Sequence, residues 1–295
     1  MTPETGVDTR KRPTRRDFLR YTAILSTGII TSLAILDVSG RQTALGLRPD
    51  SLTPELASDL DFIRSYYGLE IYTDISSLLR VFGREAQTIS DEEIARSVGL
   101  IRQGLSVYPP EYFRRNAITG ITLVAHLRSF GRELDGEAVY LDRDVIVNVA
   151  RSRWLFLLTL YHELFHRTDF GSALSPKVGE FVRTSQRWDG LFQAQMNTMR
   201  DDWMEWYFEY GLGESIEDRA VHGAFLLIPS LHARLLLRCA DEADLLRLIV
   251  IKEKIRQVKQ LYLEWSDGKM NDRYWEDLLA GNVTEGYFSS SPGMI

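Results

Sequence analysis

The chain of 295 residues has a single cysteine, Cys239, so it can close no disulfide within itself and can build no metal site from thiolates. Any transition metal must then be held by carboxylates and by some of only five histidines. Positive charge is also scarce in clusters: the formal charge is -6, and Lys and Arg are spread too thinly for a nucleic-acid groove or a polybasic membrane patch. No internal repeat or low-complexity run interrupts the chain. What remains, 44% apolar and 26% charged residues, is the usage of a soluble globular protein long enough for one large domain.

The first forty residues stand apart. A basic stretch, Arg10 to Arg20, runs into an apolar stretch, Tyr21 to Leu36, which is the layout of an export signal. The apolar run is short of the roughly 20 residues that a membrane-crossing helix needs. Within the basic stretch, Thr14-Arg15-Arg16-Asp17-Phe18-Leu19-Arg20 resembles the twin-arginine signal. That resemblance implies passage of the folded protein through the twin-arginine export machinery to a periplasmic or extracellular location. Small residues at Val38-Ser39-Gly40 lie near the expected cleavage point, but no Ala-x-Ala follows, so an uncleaved segment serving as a membrane anchor stays open. We therefore divide the chain into residues 1–40, signal or anchor, and 41–295, one catalytic domain with a helical C-terminal part.

Periodicity changes twice along residues 41–295. Thr53-Pro54-Glu55 caps a helix to about Tyr67, and Ser90 with Glu93 forms a capping box for another that Tyr108-Pro109-Pro110 stops. Three short runs follow that are β-branched or alternating, Ile121 to His126, Glu137 to Leu141 and Val145 to Val149, and predict a small mixed sheet of about three strands. Helical spacing then returns from Arg153 to Arg167 and over 201–210, 215–228, 243–265 and 272–279. Helices, a small sheet, then helices is an α+β order.

The chemistry lies at the second change. Tyr161-His162-Glu163-Leu164-Phe165-His166 contains H-E-x-x-H inside a helical window. Residues four apart share a helix face, so both imidazoles reach one ion, while Glu163 is rotated toward a water on that ion. A zinc ion with three protein ligands keeps an open position, where water is acidified to a pKa of about 7 and Glu163 can serve as general base. A third histidine six residues after His166 is excluded, because position 172 is Ser. Downstream, Ser215 is a natural helix cap and Glu217 projects from the first turn.

The run Glu217-Asp218-Arg219-Ala220 resembles the Glu-Asp-x-Ala segment of the gluzincin-type zinc metallopeptidases. That resemblance spans about Thr119 to Leu227 and implies a zincin-like fold, Zn2+ as cofactor, a peptide or protein substrate and Glu217 as the third ligand, with Asp218 orienting a zinc-bound imidazole. Glu214, which forms Glu-x-x-x-Asp with Asp218, remains the rival ligand. Asp169 and Tyr210 also resemble parts of the lethal-factor-like branch, H-E-x-G-H-x-x-D with a tyrosine before the third ligand, although Phe165 replaces its Gly. By that likeness Tyr210 stabilises an oxyanion, with His222 as the alternative donor. His126 and His232 read as structural.

Two other functions fit the same residues: a zinc-binding envelope protein without proteolytic activity, and a zinc hydrolase of another amide or ester. In the zincin picture an edge strand, 137–141 or 145–149, pairs with an extended substrate.

Overall fold

In the computed structural model, which describes residues 53–73, 84–129, 132–139, 144–173, 178–198, 215–240 and 245–290, two helices open the fold as their caps dictate. The Thr53 hydroxyl accepts the Leu56 amide at 3.2 Å and starts α1 (Pro54–Phe62), which runs on through a wider turn, Ile63–Tyr67. Ser90 and Glu93 form the reciprocal box that starts α2 (Asp91–Leu105). Both helices bury an apolar stripe, with Ile94, Val98 and Ile101 turned inward from α2. The described residues all belong to the unit Ala44–Ile295. The expected signal (1–40), the expected helix 201–210, and both Tyr210 and Glu214 lie outside the described residues.

Two strands of the sheet come before α2, and its other four follow a short helix, α3 (Glu111–Arg115), ahead of the main helical half. The strands are β1 (Glu70–Tyr72), β2 (Arg84–Gln87), β3 (Gly120–Ser129), β4 (Arg132–Glu133), β5 (Gly136–Val139) and β6 (Asp144–Asn148). The class is α+β, mostly helical with a small mixed sheet, as the order of periods implied. The strand count differs, six among the described residues against about three. Strands of two to four residues, such as β1 and β4, are too short to show an alternation in sequence.

One bend organises this sheet. The first half of β3 lies between β1 and β6, parallel to both, and its second half pairs antiparallel with β2 and β4. At the junction His126 has φ +50°, a left-handed conformation uncommon for a side-chain-bearing residue. Its amide is taken up by the buried Asn148 side chain at 3.2 Å, and the same oxygen accepts the Ala150 amide at 3.1 Å. His126 is exposed, so its role in the strand is the bend. β5 runs antiparallel to β6 and ends the path β1-β3-β6-β5.

The helical half comprises α4 (Arg153–Ala173), α5 (Val178–Thr198), α6 (Ser215–Leu227), α7 (Pro229–Ala240), α8 (Leu245–Trp265), α9 (Asp272–Leu279) and the one-turn α10 (Tyr287–Ser290). α4 packs against β5 and β6 on one side and against α2, α5 and α6 on the others. It is accordingly apolar nearly all round, with Phe156, Leu160, Leu164 and Phe165 almost fully buried. Among the described residues no single helix is long and apolar enough to cross a membrane.

Candidate metal centre

The two motif histidines stand one turn apart on α4, with ring centroids 4.5 Å apart and planes at 86°. Across from them, the first turn of α6 sends Glu217 inward. Its Oε2 lies 3.0 Å from His162 Nε2 and 3.2 Å from His166 Nε2. Ligand atoms of these three residues all lie within 4.8 Å of one another, and no other such group of His, Cys, Asp and Glu occurs among the described residues.

The crossing of α4 and α6 explains how the three meet. Phe165 lies between the histidines in sequence but points into the core, edge-on to Tyr262 and Trp265 at 5.7 and 5.0 Å. Its ring rests against Gly223 of α6, where an added Cβ would fall 2.1 Å from Phe165 Cδ2. Glycine at 223 therefore lets the two backbones approach around the phenylalanine, and the glutamate six residues earlier reaches the imidazoles.

Electrostatics sharpen the convergence. Burial opposes charge on Glu217, yet hydrogen bonds from His162 and His166 overcome it and hold the carboxyl far below its ordinary range. Burial, with the neighbouring His166, keeps His162 low. Burial works the same way on His166, but there the hydrogen bond and charge of Glu217, aided by Glu163 and Asp169, prevail and raise it. The pocket thus stabilises positive charge beside one carboxylate oxygen, where a divalent cation would compete with a proton.

The donor geometry fits such a cation. An ion about 2.1 Å from two donors in tetrahedral arrangement holds them about 3.4 Å apart, close to the 3.0 and 3.2 Å observed. Two imidazoles and a carboxylate suit a borderline divalent ion and leave coordination positions for water or substrate. His166 Nδ1 is buried with no hydrogen-bond partner among the described residues, so Nε2 is the ring atom that faces the cluster.

Glu163, 7% exposed, lines a cavity together with His162. Part of the wall of that cavity is apolar, Leu155 and Leu158 from α4 with Val221 and Phe225 from α6, and Asp135 and Thr159 add polar groups. On the sheet side, the backbone of Gly136 in β5 presses on the general-base candidate. A Cβ there would fall 2.8 Å from Glu163 Cγ, 2.6 Å from Thr159 Cγ2 and 2.9 Å from the Ile146 carbonyl oxygen. Only glycine lets β5 run this close to the motif helix.

The other sequence candidates go elsewhere. His222 is not brought to the cluster: five residues on from Glu217, it lies about 140° round the helix. It is 1% exposed, its Nδ1 is 2.9 Å from the Asp218 carbonyl oxygen, and its ring meets Trp188 edge-on at 5.5 Å. The expected contact of Asp218 with a ligand imidazole is corrected for the same reason, since one residue turns the side chain about 100° away. Asp218 instead accepts from Trp188 Nε1 at 2.8 Å and from Lys254 Nζ at 2.5 Å. Asp169 pairs with Arg219, also buried. Lys254, Arg219, Gly136 and Gly223 were not singled out from sequence. The one signal for Arg219 and Lys254 was a charge at a core-facing helical position.

Compared with known protein families, with curated proteins and with solved structures, the chain has no match.

Proposed function

We propose that the chain is a zinc metallopeptidase of gluzincin type with a zincin-like fold, exported by the twin-arginine signal at its N-terminus. One observation carries the proposal: a glutamate from a separate helix closes on both histidines of H-E-x-x-H at 3.0 and 3.2 Å. His162, His166 and Glu217 hold the ion. Zinc supplies Lewis-acid chemistry there, polarising a scissile carbonyl and acidifying water.

Glu163 does the proton work. Its carboxylate takes a proton from the attacking water and returns it to the departing amine nitrogen, so one side chain is base and then acid. Its burial beside Leu158 and Phe225 limits competing bulk water. The apolar part of the cavity wall favours a substrate carrying an apolar side chain next to the scissile bond. β6 is an internal strand, and β5, at the end of the path, offers the edge for an extended peptide.

The test uses the purified chain with metal content measured by elemental analysis. The parent should hold one zinc and cleave members of a peptide library, and Glu163→Gln should hold zinc while losing roughly 10²- to 10⁴-fold in rate. Equal cleavage by both rejects the role of Glu163. Zinc binding without turnover of peptide, ester or amidated glycan would support a silent envelope protein, and turnover of the last two alone a different hydrolase.

A further inference from the structure

Glu217, Asp218 and Arg219 are consecutive near the start of α6, and each finds its charge partner in a different direction. Glu217 faces the α4 imidazoles. Asp218 faces away, to Lys254 of α8 and Trp188 of α5, and both members of the Asp218–Lys254 pair have 0% side-chain exposure. Arg219 donates to Asp169 on α4 and, at 3.3 Å, to Ser185 on α5, with Arg219 and Asp169 at 3% and 2% exposure. Asp169 is three residues after His166, one turn along the helix that supplies both imidazoles.

We propose that the buried pairs Asp169–Arg219 and Asp218–Lys254 are positioning residues for Glu217, tuning how tightly the centre holds its metal. This rests on the metal-centre reading above. Successive helical residues point about 100° apart, so three partnered side chains span about 200° of the α6 surface. Pinned on that much of its circumference, the first turn can neither roll nor slide without breaking an ion pair.

Stability alone is a poor account of these pairs. Desolvating two charges costs about as much as their attraction returns, and apolar replacements of similar volume are often neutral or stabilising. What an ion pair adds over apolar packing is direction. The Asp169–Arg219 pair ties α6 to the helix carrying His166, and Asp218–Lys254 pulls the same turn toward α8, opposing any collapse of Glu217 onto the imidazoles. Lys254 is itself oriented by Gln195 and sits 5.1 Å from the Trp188 ring.

The experiment measures zinc affinity of the full purified chain by competition with a chromogenic chelator, the visible spectrum of its cobalt form, and thermal unfolding of the chelator-treated protein. The double variant Asp169→Leu with Arg219→Met should unfold within a few degrees of the parent, and Asp218→Leu with Lys254→Met, which also leaves the buried Trp188 Nε1 hydrogen without its acceptor, should unfold lower but still fold. Each should bind zinc about 10- to 100-fold more weakly and shift the cobalt spectrum. The milder Asp169→Asn, which keeps shape and hydrogen bonding, should weaken zinc several-fold, and Arg219→Lys should retain more affinity than Arg219→Met. Parent affinity and an unchanged cobalt spectrum in a folded double variant, or in Asp169→Asn, overturn the proposal. A parent that binds neither zinc nor cobalt overturns the metal-centre reading, and the positioning role with it.

Discussion

Two pairs of histidines occupy the helical half of the molecule, His166, His222 and His232 buried and His162 half-buried, and they differ in what faces them. His162 and His166 share one carboxylate oxygen. His222 and His232 meet the edges of Trp188 and Trp275 at 5.5 and 5.9 Å, His222 with Asp218 of its own helix 3.5 Å away, and burial pushes each down to about 4. Burial therefore does not by itself make a histidine functional. Convergence does, and here it requires two helices close enough that an acid on one reaches both rings on the other.

The strongest way to break the contrast is to remove the converging acid. Glu217→Ala should weaken zinc binding by at least about 10³-fold, since one of three ligands, and the anionic one among them, is lost. His232→Leu should leave zinc affinity at the parent value. Chelator competition on both variants measures the difference, and a zinc affinity for Glu217→Ala within tenfold of the parent's would put the third ligand elsewhere, with Glu214 the first position to test.

Next in size is the contact that permits the convergence. Gly223→Ala places a methyl where Phe165 already lies, so either the ring leaves its rotamer or α6 backs away from α4. Overpacking of this kind typically costs about 1–3 kcal/mol, and movement of α6 should also loosen zinc. By comparison Ser90→Ala, which removes a helix cap on α2, should cost about 1 kcal/mol and leave zinc alone. Paired denaturant and zinc titrations separate the two: a Gly223→Ala protein destabilised but unchanged in zinc affinity would show that the crossing distance does not set the site.

The same contrast explains what was legible in the sequence. H-E-x-x-H and the capping box are local patterns, with partners three or four residues apart on one helix, so spacing alone implies the geometry. Glu217 was reached through resemblance and lies 51 residues beyond His166, a contact that only the α4–α6 crossing creates. Lys254 and Arg219 were not foreseen because their partners are 36 and 50 residues away, and a charge at a core position does not name the charge that will meet it. The sheet was half legible for a related reason: β3 and β6 are ten and five residues long and rich in apolar and β-branched residues, whereas β1 and β4 are defined only by pairing with β3. Phe165, a departure from the expected glycine in sequence, becomes intelligible once Gly223 is seen beneath it.

The smallest effect probes the histidine that faces no acid. His232 is buried against Trp275, and burial, with the nearby Lys259 charge, lowers it from 6.5 to about 4. Its unfolded form binds a proton below about pH 6.5, while the folded form resists until about pH 4, so the unfolded chain carries the extra proton in between. Stability from this residue is complete above pH 6.5 and is lost as the pH falls toward 4, amounting to roughly 2 kcal/mol at pH 5. His232→Leu should flatten that part of the profile in chelator-treated protein, where titration of the metal ligands is common to parent and variant and cancels in their difference. Denaturation midpoints at pH 5 and pH 7.5 measure it, and a variant whose midpoint falls as steeply as the parent's would show that His232 accepts its proton without leaving the fold.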